Sequence, residues 1–231
     1  MVRIAKVSKI YRAGNEQVRA LDDVSLEVNA GEFAAVQGPS GCGKTTLLLM
    51  AGGLLQPDAG SVEVDGEDIY AMSLERRAQF RARKIGFVFQ QFHLIPYLSV
   101  RDNVLAPTLA LPISGAAERV EELLGRFNLT SRAAHTPGEL STGERQRVAL
   151  ARAMLHEPRM ILADEPTGNL DEHNAAIVLG ALAGFAEDGG TVLLVTHDRM
   201  AAGEAGRLVR LDAGKLADDG GSSHRDQQVA G

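Results

Sequence analysis

The order of apolar and polar segments predicts an α/β fold with a mostly parallel sheet, an antiparallel β region at the N-terminus and an inserted α-helical lobe. Three observations carry that expectation. Short apolar runs recur at residues 33–36, 85–89, 160–163 and 191–195, each the length of a strand buried on both faces. Two strand-like runs, 2–7 and 24–28, flank a polar stretch containing Gly14 and Asn15. From about residue 92 to 156 the pattern becomes helical, with prolines at 96, 107, 112 and 137.

Taken in order, the run 33–36 ends at a glycine-rich turn, and residues 45–55 read as a buried helix. Residues 61–64 form a further strand, closed by the turn Asp65-Gly66. The run 85–89 is apolar and rich in strand formers. Residues 116–127 and 145–155 carry apolar side chains at helical spacing, the second with arginines at 145, 147 and 152. The runs 160–163 and 191–195 return the chain to the sheet, and 209–211 precedes the turn Ala213-Gly214. Residues 218–231 are polar and rich in Gly, Ser, Asp and Gln, so a disordered tail is expected there. Residues 1–217 are expected to form one domain, with the helical lobe, about 92–156, set into it.

Composition narrows the function classes. A length of 231 residues suits one large domain, and 45% apolar with 23% charged residues argues against wholesale disorder. Twenty-four basic against 30 acidic residues give a net charge of −6, so no nucleic-acid partner is expected. A single cysteine, Cys42, cannot form an internal disulfide or a Cys-rich zinc site. No apolar stretch approaches the ~18 residues of a membrane-spanning helix. The first residues are mixed and charged, without a signal peptide's apolar core. Any link to a membrane is therefore expected to run through a partner or the protein's surface.

The strongest chemical signal is Gly38-Pro39-Ser40-Gly41-Cys42-Gly43-Lys44-Thr45, followed by Thr46. It lies between a strand-like run and a helix-like one, the context a phosphate loop requires. Its glycines let backbone N–H groups turn toward oxyanions, and the helix start adds partial positive charge. Lys44 can reach the β- and γ-phosphates, and the Thr45 hydroxyl can ligate Mg²⁺. Cys42 serves as a small residue in the loop, and a thiol at a helix start is also open to oxidation. The run 160–163 ends in Asp164 and Glu165. Alternation along a strand points neighbours to different sides, so the two acids need not share a job: Asp164 is assigned to hold Mg²⁺ through water, and Glu165 to polarise the attacking water. Ser141 and Glu144 have the spacing of a capping box at the start of a helix. That helix start, with the Ser141 side chain and the Gly143 amide, is a second place where a γ-phosphate can be met.

Here the chain resembles the ATP-binding-cassette family. The stretch Leu140, Ser141, Thr142, Gly143, Glu144 is similar to that family's signature, with Thr142 standing where a glycine is usual. The resemblance implies further roles, in order along the chain. Tyr11 corresponds to the aromatic ring that stacks on adenine. Gln90, with Gln91 as the neighbouring alternative, corresponds to the glutamine that contacts Mg²⁺ and the attacking water. Gly168, Asn169, Leu170 and Asp171 correspond to the loop that crosses the dimer interface, and His197 to the histidine that contacts the γ-phosphate. The likeness covers about residues 2–216. It implies an ATP-hydrolysing subunit that needs ATP and Mg²⁺, closes as a homodimer on ATP and acts with a separately encoded membrane permease. The signature, Ser141 to Glu144, would then act in trans.

The segment 85–92, the run Pro166-Thr167-Gly168-Asn169-Leu170-Asp171 and Glu144 resemble the lipoprotein-releasing, macrolide-export and cell-division branch. That branch implies a peripheral position on the cytoplasmic face of the inner membrane. The apolar segment 92–98, from Phe92 to Leu98, is then expected either to form a groove for a permease coupling helix or to be lobe core. A DNA-repair cassette would need a long coiled coil between Gln90 and Ser141, where four prolines stand. A ribosome-associated one usually joins two cassettes in one chain. A small-molecule kinase with a phosphate loop leaves the signature, Gln90 and His197 without a role.

Overall fold

The computed structural model describes residues 1–14 and 16–217; the expected tail, 218–231, lies outside the described residues. Two long strands, β1 (Val2–Ala13) and β2 (Glu16–Val28), pair antiparallel, and β4 (Ala59–Val64) and β5 (Glu67–Asp68) complete a sheet of order β2-β1-β4-β5. Both N-terminal strands run well beyond the apolar runs that reveal them. Beyond Val7 and before Leu21 the ladder is mostly solvent-facing, and cross-strand backbone pairing rather than burial sustains it. Asp65 and Gly66, both at positive φ, make the tight turn that the sequence marks between β4 and β5.

The second sheet has the order β10-β9-β3-β8-β7-β6. Its strands β3 (Phe33–Gln37), β6 (Ile85–Phe89), β7 (Met160–Asp164), β8 (Thr191–Thr196) and β9 (Arg207–Asp212) are mutually parallel, and the short β10 (Lys215–Ala217) turns back antiparallel through Ala213 and Gly214. Successive residues of each parallel strand serve opposite faces. Ala34, Val36, Met160, Leu162, Leu193 and Val195 pack with the N-terminal sheet and α1 (Lys44–Ala51). Phe33, Ala35, Ile161, Ala163, Val192 and Leu194 pack on the other face. Burial on both faces is why these runs are short and continuously apolar.

Helix α1 starts one residue earlier than the sequence suggests and stops at Ala51, because Gly52 and Gly53 terminate it, Gly53 at φ 68°. Helix α2 (Leu74–Lys84) falls where the sequence marks no element; only Phe80 is buried, so its apolar stripe is too thin to read. Between β6 and β7 the chain forms α3 (Val100–Leu105), α4 (Ala116–Arg126), α5 (Thr142–Met154) and three short 3₁₀ turns. Their side chains Val104, Leu123, Leu124 and Leu150 share one apolar cluster with Ile161 and Leu194 of the sheet. The helical stretch thus packs into the core of the sheet rather than around a core of its own. Helices α6 (Glu172–Glu187) and α7 (Arg199–Gly203) follow β7 and β8.

Four adjacent strands, β3, β8, β7 and β6, deliver their carboxyl ends to one edge of the sheet. The register sets Phe89 beside Asp164, Asp164 beside Val195, and Gln37 beside Thr196. Loops leaving such ends are where open parallel sheets bind ligands.

Candidate functional site

The loop after β3 wraps back on itself before entering α1. Gly43 sits at φ 109°, and a Cβ there would collide with the Ala20 carbonyl of β2. The Cys42 carbonyl accepts the Gly214 amide at 3.0 Å, so the β9–β10 turn pins the loop from the other side. Cys42 itself is buried, which removes its thiol from solvent. Lys44 is 8% exposed, and its Nζ donates to the carbonyls of Gly38 (2.9 Å) and Pro39 (3.0 Å). The ammonium is thereby parked inside the loop where an anion would sit, and a phosphate competes with two neutral carbonyls for it.

The Thr45 hydroxyl donates to the Asp164 carboxylate at 3.0 Å to Oδ2. Burial pushes the Asp164 carboxyl above the usual range; the Glu165 charge adds to that, while the Thr45 hydrogen bond opposes it. A hydroxyl and a partly buried carboxylate in contact are hard oxygen donors, the set that suits Mg²⁺. Among the described residues no three His, Cys, Asp or Glu side chains cluster to hold a metal by themselves, so further oxygens must come from elsewhere.

Glu165 leaves the strand at φ 46°, and its side chain bonds to the end of β8. Its Oε2 accepts the Thr196 hydroxyl at 2.8 Å; its Oε1 accepts the His197 amide at 2.9 Å and lies 2.7 Å from His197 Nδ1. Thr196 is fully buried and also accepts the Asp198 amide at 3.0 Å. With that lone pair engaged, the one hydroxyl proton of Thr196 is aimed at Glu165. The sequence did not single out Thr196, since a lone threonine ending an apolar run carries no signal.

A cavity of about 480 Å³ opens at this edge. It is lined by Tyr11, Ser40, Gly41, Gly43, Lys44, Thr45, Thr46, Gln90, Asp164, Glu165 and His197, all singled out by the sequence, and by Val18 and Ala20, which were not. Val18 and Ala20 enter because β2 pairs with β1, putting Val18 opposite Tyr11. Tyr11 is 42% exposed, an open ring at the cavity mouth. Gln90 follows β6 and packs against Gly168, where a Cβ would stand 2.8 Å from its Nε2.

Ser141, Thr142, Gly143 and Glu144 do not line this cavity. They start α5, where the Ser141 Oγ accepts the Glu144 amide at 3.2 Å and Glu144 Oε2 accepts the Ser141 amide at 2.7 Å. Glu144 also pairs with Arg132 at 2.9 Å, and its carboxyl is held below the usual range by the Ser141 amide first and by Arg132 as well. In the loop from Gly168 to Asp171, Gly168 packs on Gln90 of the cavity and Asp171 caps α6.

A phosphate loop beside two adjacent acids at a strand end, on a parallel sheet, is the arrangement of the phosphate-loop class of nucleotide-hydrolysing proteins. The chain belongs to the ABC transporter family: that family's model matches residues 21–168. It is an ATP-binding, ATP-hydrolysing cassette of that family, and its fold is the family's. The lipoprotein-releasing system ATP-binding protein LolD 1 of Rhodopirellula baltica is 45% identical over 219 residues, covering 94% of this chain and 96% of that one. The macrolide export ATP-binding/permease protein MacB of Photorhabdus laumondii is 39% identical over 96% of this chain, which spans 35% of that longer protein. The solved cassette MJ0796, in a dimeric post-hydrolysis state bound to ADP and Pi, superposes with a TM-score of 0.88 at 38% identity, covering 95% of this chain and 97% of that one.

Proposed function

We propose that two copies of this chain close on two ATP molecules and drive a separately encoded membrane permease from the cytoplasmic face of the inner membrane. The observation that supports this most directly is the division of the site. The nucleotide cavity holds the phosphate loop, Asp164, Glu165, Gln90 and His197, while Ser141 to Gly143 face elsewhere. A second copy can bring its Ser141 helix start to the first copy's γ-phosphate, giving an isologous pair with two identical sites. No helix among the described residues is long and apolar enough to cross a membrane, which fits a peripheral subunit.

In this reading Tyr11 stacks on the adenine and the loop from Gly38 to Thr46 cradles the phosphates. Lys44 leaves its two carbonyls for the β/γ-phosphates. Thr45, and Asp164 through water, would hold Mg²⁺ with Gln90 beside them; the ion would supply positive charge against that building on the phosphates. Glu165, aimed by Thr196, takes a proton from water as its oxygen attacks the γ-phosphorus. The bond from that phosphorus to the β–γ bridging oxygen breaks, and the electron pair leaves on ADP. His197 donates toward the transferring group. Loss of the γ-phosphate removes the contact that favours the closed pair, and the pair opens.

The permease contact falls at residues 92–98. The structure divides that segment. Leu94 packs against the main apolar cluster, whereas Tyr97 is 80% exposed. Arg152 fixes the segment's start by donating to the carbonyls of Phe92 (2.7 Å) and His93 (2.6 Å). Beside it a cavity of about 290 Å³, lined by Phe87, Phe89, His93 and Arg152, offers an apolar floor to a coupling helix.

The test is Glu165→Gln, which keeps shape and hydrogen bonding but removes the proton acceptor. Turnover should fall by ~10²-fold or more, and ATP-bound dimers should persist on size exclusion with Mg²⁺. Wild-type turnover, or a mutant that stays monomeric with ATP, overturns the assignment.

A further inference from the structure

The start of α5 and the start of α6 are joined through one side chain. Gly143 is buried, and a Cβ on it would collide with the Asn174 carboxamide. One turn further along the same face of α5, Arg147 Nη1 donates to Asn174 Oδ1 at 2.7 Å. The other end of that amide, Nδ2, donates to Asp171 Oδ1 (3.0 Å) and Oδ2 (2.8 Å), and the Asn174 backbone amide donates to Asp171 Oδ1 at 2.8 Å. Both ends of the carboxamide are therefore committed in opposite senses: the oxygen to a cation on α5, the nitrogen to the carboxylate that caps α6. An amide held this way cannot flip without losing a charge-assisted bond at each end.

We propose that Asn174 is a positioning residue that locks the signature helix start, Ser141 to Gly143, to the interface loop, Gly168 to Asp171, so that both meet a partner copy as one rigid surface. This rests on the dimeric reading above. It also gives Gly143 a second reason to be glycine, apart from any phosphate: a side chain there would displace the amide. Aspartate would keep the acceptor for Arg147 but set two carboxylates against each other, and alanine would leave Arg147 and Asp171 without their shared partner.

The experiment uses the full chain in the Glu165→Gln background, with and without Asn174→Ala. Nucleotide affinity of the monomer is read with a fluorescent ATP analogue, dimer formation by sedimentation with Mg²⁺-ATP, and folding by thermal melting. Asn174→Ala should bind nucleotide within about twofold of its parent and weaken the ATP-dependent dimer about tenfold, the order of one hydrogen bond to a charged group. In the chain with Glu165 intact, kcat should fall with little change in KM. Asn174→Ala combined with Arg147→Ala should be no worse than the poorer single variant, because both act through one contact. An unchanged dimer constant overturns the proposal, as do additive losses or a parallel loss of nucleotide affinity and melting temperature, which mark a merely structural residue. Failure of the Glu165→Gln parent to dimerise overturns the dimeric reading itself, and the inference with it.

Discussion

The two halves of the site are built in opposite ways. The nucleotide half is concave and assembled from strand ends: the loop after β3, Asp164 and Glu165 after β7, Thr196 and His197 after β8. Its polar groups already satisfy each other, Lys44 on carbonyls, Thr45 on Asp164, Glu165 on Thr196 and His197. The other half is a pair of helix starts, α5 and α6, locked by Asn174 and lying outside the nucleotide cavity. The contrast teaches what each half must do. The concave half holds its lysine and its threonine on internal partners that a bound nucleotide would compete for, while Glu165 keeps its partners on β8. In the proposed dimer the helix-start half has to arrive with its geometry fixed, because it would contribute to a site that is not in its own chain.

Substitutions sharpen that contrast. The largest effect is expected from Lys44→Ala, which removes the cation facing the β/γ-phosphates. Turnover should fall by ~10³-fold, in the range lost when a preorganised charge donor is removed. Nucleotide affinity should fall with it, measured by titration of the monomer. Gly143→Val should behave differently. It displaces Asn174 and disturbs the helix-start half alone, so the monomer should still bind ATP while turnover drops by ~10²-fold through misplacement. Equal loss of nucleotide binding in both variants would erase the distinction between the halves.

Smaller effects report on each half separately. Burial holds the folded-state pKa of Asp164 above its ordinary value of 3.8. Between the two values the folded state binds more protons than the unfolded chain, so stability falls as pH rises through that window. Asp164→Asn removes the buried charge. Without nucleotide at pH 7 it should melt higher than the parent. The gap should close below pH 3.8, where calorimetry compares two neutral side chains. Addition of Mg²⁺-ATP should stabilise the parent more than the variant. The smallest change is expected from Thr142→Gly. The Thr142 hydroxyl only accepts a long 3.4 Å bond from Arg145, and glycine at a helix start costs little, so turnover should stay within about threefold. A severe loss in a steady-state assay would assign the hydroxyl a role on the partner's nucleotide.

The strand runs, the phosphate loop, the two acids and the capping box were legible because each is local. Strands buried on both faces write themselves as apolar runs, and a phosphate loop needs its glycines, lysine and threonine at fixed spacing. Helix α2 was not legible, since it buries little besides Phe80. The lengths of β1 and β2 were not either, because their outer halves are held by pairing rather than burial. Residues Val18, Ala20, Thr196 and Asn174 gave no sign of their places.

What the sequence by itself determined is therefore the set of candidate groups: which are proposed for phosphate, metal and water, and which helix start is capped. Tertiary structure decided which of them share a cavity. Parallel pairing of β3, β8, β7 and β6 set the loop, Asp164, Glu165 and His197 together, while α5 carried Ser141 and Gly143 away from that cavity, with Gly143 against Asn174. The physical reason is range. Spacing along the chain fixes contacts within a turn or a loop, but Thr45 and Asp164, or Arg147 and Asn174, meet only once strand order and helix packing have been settled by the core.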